Sequence, residues 1–126
     1  MVTFIVDTNV LSEFIAAKLS RRSFAFIQSL LQKEIGVSVI TEIELRSWKA
    51  GSKIESIIGQ MVKEMSVIQI NEDIKELAIQ IRRDNNVKLP DALIAATAIS
   101  QGATLITLNT KDFKPVMGLT IKHPES

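Results

Sequence analysis

Acidic side chains are the residues of this sequence whose type and spacing could do chemistry. Asp7 follows the apolar run Val2–Val6, Glu42 and Glu44 follow Val37–Ile40, and Asp112 lies just beyond Ala103–Leu108. Asp91 stands behind Pro90 in the first turn of an apolar predicted helix that leads into a strand. Carboxylates gathered from such remote segments repel one another, by roughly 3 kcal/mol for a pair ~5 Å apart at an effective dielectric of ~20. Raised pKa values relieve part of that repulsion. A divalent cation is the simpler remedy, because no lysine or arginine adjoins these acids in the predicted elements. All-oxygen ligation favours Mg²⁺ or Mn²⁺ over zinc. Magnesium binds few carboxylates and keeps several waters, which suits phosphate chemistry. Each acid also has a plainer role open to it. Asp7 can cap a helix, and Glu44 can close a capping box with Thr41. Glu42 fits a solvated helix face, Asp91 complements a helix dipole, and Asp112 suits a turn.

The remaining composition removes other chemistries. There is no cysteine, so disulfides, thiolate zinc sites and cysteine nucleophiles are excluded. The single histidine, His123, cannot make a multi-histidine metal site. The five glycines, at 36, 51, 59, 102 and 118, spell neither a P-loop nor a dinucleotide fingerprint. Lys+Arg 15 against Asp+Glu 14 leaves a net charge of +1, which gives no global electrostatic preference for a nucleic acid.

The elements that must position these acids alternate along the chain. Strands are predicted over Val2–Val6, Glu34–Ile40, Ser66–Ile70, Ala103–Leu108 and Leu119–Lys122. Helices are predicted after Asp7-Thr8-Asn9, from Ser23, from Thr41, over Lys53–Met65, from Asn71 or Asp73 to Arg83, and from Pro90 to Gln101, where Gly102 ends the last. This alternation implies an α/β fold: a three-layer α/β/α sandwich around a central, mainly parallel sheet of four to five strands. Residues 1–126 read as one domain, with no linker, repeat or low-complexity segment. In open parallel sheets ligands bind beyond the carboxyl ends of the strands, where these acids fall. No apolar stretch approaches the ~20 residues of a membrane span and no signal-peptide pattern opens the chain, so a cytoplasmic location without a membrane partner is expected.

Four segments carry a resemblance to a known family: Phe4-Ile5-Val6-Asp7-Thr8-Asn9-Val10-Leu11-Ser12-Glu13, Ser38-Val39-Ile40-Thr41-Glu42-Ile43-Glu44-Leu45, Leu89-Pro90-Asp91-Ala92-Leu93-Ile94-Ala95-Ala96 and Leu105-Ile106-Thr107-Leu108-Asn109-Thr110-Lys111-Asp112-Phe113. In this order the chain resembles the PIN-domain ribonucleases, and among them the VapC-type toxins of toxin–antitoxin pairs. The resemblance implies that Asp7, Glu44 and Asp91 hold Mg²⁺ or Mn²⁺, with Asp112 a further catalytic acid. The family acid three residues after the threonine maps onto Glu44, with Glu42 a neighbouring competitor. Many relatives have aspartate where this chain has Asn109, so Asn109 joins Thr8 and Asn9 as a bracing residue. The implied reaction is hydrolysis of a phosphodiester in single-stranded or looped RNA. Candidate RNA contacts are Arg46, Lys49, Lys53 and Lys111, with Arg21, Arg22 and a stacking Trp48 as further options. A cognate antitoxin and a homodimer are the implied partners, with Ile54, Ile57, Ile58 and Met61 as candidate contact residues. The competing readings are a degenerate PIN fold that binds RNA or protein without cutting it, and a nucleotide-binding α/β protein of another lineage or a magnesium-dependent phosphatase. Asp7-Thr8-Asn9 lacks the D-x-D spacing of the latter.

Overall fold

The computed structural model describes residues 2–126, in the chain order β1 (Phe4–Val6), α1 (Thr8–Ile15), α2 (Arg21–Leu30), β2 (Gly36–Ser38), α3 (Val39–Arg46), α4 (Ser52–Lys63), β3 (Ser66–Ile68), α5 (Glu72–Asp84), α6 (Leu89–Gln101), β4 (Thr104–Ile106), α7 (Thr110–Phe113) and β5 (Thr120–Lys122). The five strands form one sheet in the order β3-β2-β1-β4-β5, and every neighbouring pair is parallel. Ile5 is opposite Gly36 on one side of β1 and Leu105 on the other.

Strand alternation creates the layers. Ile5 and Leu105 face one apolar cluster with Ile74, Ala78, Ala92, Ile94 and Ala95 of α5 and α6. Their neighbours Val6 and Ile106 face the other, with Val10, Leu11, Ile27, Leu45 and Ile58 of α1 to α4. Successive strand residues point to opposite sides, so a strand buried on both faces needs an unbroken apolar run. Ala92, Ala95, Ala96 and Ala98 of α6 are all fully buried, and side chains that small let the helix lie close on the sheet.

Several boundaries differ from the sequence reading. Ser20, not Ser23, caps α2: its hydroxyl accepts from the Ser23 N–H, and Ser23 lies inside the first turn. Ser38, not Thr41, caps α3, with its hydroxyl accepting from the Ile40 N–H. The β2 strand is correspondingly cut short at Ser38. Lys88 is the N-cap of α6, with Leu89 before Pro90 in its first turn. The short helix α7 replaces the expected turn at Asn109–Asp112. Ile58 is a core residue at 1% exposure, and Ile54 and Met61 pack partly buried against the same cluster. Of the four candidate contact residues on α4, only Ile57 presents an exposed apolar side chain. These helices are amphipathic in the ordinary sense, and their apolar stripe is spent on the sheet.

Candidate active site

The chain runs outward from β1 to β2 to β3, then returns to place β4 beside β1. This reversal opens a crevice at the carboxyl ends of β1 and β4. Asp7, the first residue after β1, sits there at 4% exposure. It also caps α1: its Oδ1 accepts the Thr8 N–H at 2.8 Å. Its Oδ2 accepts the Thr107 hydroxyl, also at 2.8 Å, from the first residue after β4. The capping role and a place in the crevice therefore coexist in one side chain.

Burial raises the Asp7 carboxyl from 3.8 to about 6. The Thr107 and Thr8 hydrogen bonds oppose the rise, and the charges of Asp91 and Glu44 add to it. Asp91, in the first turn of α6, is also raised, first by burial and then by Glu44 and Asp112, with Lys88 opposing. Acids from α1's cap, α3, α6 and α7 thus share one electrostatic environment. Lys88 corrects the expectation that no basic residue adjoins them. It precedes Asp91 by three positions, one helical turn, a spacing that places both on one side of the α6 start.

The hydroxyls organise this rim. Thr8 Oγ1 donates to Glu44 Oε1 at 2.6 Å and lies 3.0 Å from Thr41 Oγ1. Glu44 therefore reaches across to α1 rather than back to its own helix start, and the capping-box role fails because α3 begins earlier. Glu42 pairs with Arg46 at 2.9 Å on the same helix, which leaves Glu44 as the acid directed to the crevice and commits Arg46 elsewhere. Asn9 Oδ1 accepts the Leu108 N–H at 3.4 Å, tying α1 to the segment after β4. Asn109 Nδ2 donates to Asp112 Oδ2 at 2.7 Å, and the Asn109 N–H donates to Thr107 Oγ1 at 3.0 Å. Thr107 is the residue that sequence reasoning missed. The sequence places it inside the expected strand Ala103–Leu108, although a polar residue straight after Leu105-Ile106 mirrors Asp7 after Ile5-Val6.

Among the candidate RNA contacts, Lys111 lines a cavity beside Asp91 and Asp112. Lys49 and Lys53 are exposed residues at and beyond the α3–α4 connection, and Arg21 and Arg22 are exposed on α2. Trp48 is 37% exposed just after α3.

The donor set is all oxygen, its principal acid is buried with no cation paired to it, and its neighbours are like charges. Such a set fits a hard divalent ion. Among the described residues, no group of three or more His, Cys, Asp or Glu side chains is arranged to hold a metal ion together. The expected trio of Asp7, Glu44 and Asp91 shares one rim without closing into a cage. The fit is to an ion that takes one or two carboxylates and keeps its waters.

A family model described as PIN domain matches residues 4–117. The chain is 61% identical to Ribonuclease VapC1 of Rickettsia felis over 31 residues, a segment that spans 25% of this chain and only 23% of that protein. Against Toxin FitB of Neisseria gonorrhoeae identity is 26%, across 86% of this chain and 89% of that protein. A toxin–antitoxin complex from Klebsiella pneumoniae contains a chain 31% identical, with TM-score 0.79, covering 97% of this chain and 98% of its own.

Proposed function

The chain belongs to the PIN domain family, and on that premise we propose that it is a metal-dependent endoribonuclease acting as the toxin of a toxin–antitoxin pair. The observation that carries the reading is Asp7: a buried carboxyl, raised to about 6, that faces like charges and no paired cation. The relatives' names, a ribonuclease, a toxin and a toxin–antitoxin complex, support the biological role.

Asp7 and Asp91 would hold Mg²⁺ or Mn²⁺, with Glu44 and Asp112 beside them. When bound, the ion would supply positive charge against the phosphate oxygens and polarise water for attack on phosphorus. The chain's own residues keep that rim in shape. Thr107 and the Thr8 N–H hold both Asp7 oxygens in place. Thr8 orients Glu44, and Asn109 orients Asp112, so the carboxylates need little rearrangement as charge develops in the reaction. The substrate is RNA in single-stranded or looped form, since a duplex hides its base edges. Lys111 lines a cavity together with Asp91 and Asp112, whereas Arg46 is engaged with Glu42. Exposed apolar side chains available to an antitoxin or a second copy are Ile43, Trp48 and Ile57 around α3 and α4, and Ile79 and Leu89 beside α6.

The test is cleavage of a mixed single-stranded RNA across a Mg²⁺ titration. The native chain cuts with a saturable metal dependence, while Asp7→Ala and Asp91→Ala lose about a hundredfold or more and remain folded. Asn109 in an acid position, and the absence of a three-acid cage among the described residues, favour the second reading, a PIN fold that binds without cutting. RNA binding with no cleavage at any metal concentration would establish that reading instead.

A further inference from the structure

A cavity of about 420 Å³ lies against the acid rim on the side away from α3. It is walled by Asn85, Asn86 and Lys88 from the α5–α6 connection and by Asp91, Lys111 and Asp112 among the residues opposite. Its volume falls at the low end of the ~300–1,000 Å³ typical of small-ligand sites. Lys88 and Lys111 form no ion pair among the described residues, yet Lys88 is close enough to lower the pKa of Asp91. Asn85 spends its Nδ2 on the Ile81 carbonyl at 3.1 Å, so its Oδ1 remains to accept. Asn86 is exposed and makes no side-chain hydrogen bond. Asp112 is held on the wall by Asn109.

We propose that this cavity is a nucleotide subsite, seating one nucleotide of single-stranded RNA next to the phosphate that is cut. Lys88 and Lys111 take the phosphate, and the Asn85 and Asn86 amides read a base edge that carries a donor beside an acceptor. The inference rests on the ribonuclease reading for its setting and adds the residues that choose where the RNA is cut. Three features favour a nucleotide over a protein segment: two unpaired ammonium groups, amides with hydrogen-bonding capacity left over, and direct continuity with the acids at Asp91 and Asp112. A concave pocket of this size also demands an unpaired nucleotide, because a base held in a duplex cannot enter it. No exposed aromatic side chain lines it, so recognition here works through amide hydrogen bonds rather than stacking.

Two arms test the proposal with the full chain. In the first, AMP, CMP, GMP and UMP are titrated with and without Mg²⁺ while backbone amide resonances are followed; none has an internal phosphodiester to cut. Shifts confined to residues 85–88 and 109–113, abolished in Lys88→Ala/Lys111→Ala, support the subsite. Shifts elsewhere, or none, overturn it. In the second arm, RNA cleavage by the same double variant at saturating Mg²⁺ shows KM raised about fivefold, and the salt slope of binding falls by about 0.7 per lysine removed. Asn86→Ala changes which nucleotide flanks the cut and leaves that slope alone. Unchanged KM and unchanged flanking preference overturn the proposal while leaving the ribonuclease reading intact. Nucleotide binding in the cavity with no RNA cleavage does the reverse.

Discussion

Asp7 carries a conflict between folding and function that pH can expose. Its folded carboxyl binds a proton near pH 6, against 3.8 for an aspartate in the unfolded chain. Between those values the folded state holds more protons than the unfolded state, so raising the pH from about 4 to 6 weakens the fold. Above pH 6 the loss levels off at about 3 kcal/mol. Asp7→Asn removes this dependence and gives up a charge-assisted bond from Thr107, for a net gain of about 2 kcal/mol at pH 7.5 without divalent ions. Urea denaturation of both proteins at pH 4.5 and 7.5 measures it, and the difference between them should be much larger at the higher pH. Thr107→Val takes away the hydroxyl that holds Asp7 Oδ2 and accepts the Asn109 N–H, and it should cost about 1–3 kcal/mol. Its Asp7 carboxyl, followed by carbon NMR, should titrate higher than in the native chain, because that hydrogen bond lowers it. Asp7 and Asp91 were legible because each interrupts an apolar segment. Thr107 and Lys88 were not: a threonine is at home in a strand, and a lysine at a helix start normally faces water.

At the level of elements, helix faces and strand identities could be read, and so could the α1 and α5 caps at Asp7 and Asn71, whereas the starts of α2, α3 and α6 could not. The α2 and α3 starts moved because serine and threonine are near-equivalent caps, and only the path of the backbone selects among them. At α3 that shift of three residues has chemical weight: it frees Glu44 from a capping role and aims it at Thr8. Gly36 in β2 shows a constraint no pattern announced. A Cβ there would stand 2.8 Å from Val2 Cγ1 and 2.9 Å from Ile5 Cδ1, where the first two strands meet. Gly36→Ala should cost about 1–3 kcal/mol by overpacking, read as a lower midpoint in thermal melts. The α4 helix gives a paired contrast. Ile58→Ala opens a core cavity and should cost about 2–5 kcal/mol. Ile57→Ala, one position along and 46% exposed, should stay within about 0.5 kcal/mol. Helical spacing suggested both as contact residues, since an apolar stripe looks the same whether a sheet or a partner covers it.

Over the whole molecule, alternation of strands and helices was enough to specify layers and parallel pairing, but the order of strands in the sheet came only with the structure. That order sets β1 between β2 and β4 and draws the acids to one crevice. A cation bound there would stabilise the folded state in proportion to RT ln(1 + [Mg²⁺]/Kd), about 2.7 kcal/mol at a hundredfold excess over Kd. The melting temperature should rise with Mg²⁺ at pH 7.5, rise much less at pH 5 where Asp7 is protonated, and not respond in Asp7→Ala/Asp91→Ala. The bond between Asp7 and Thr107 spans 100 positions of the chain. A ribosome making this protein must therefore deliver β4 before the crevice can exist at all. During most of translation the growing polypeptide therefore lacks this crevice, which can close only after residue 107 has been added.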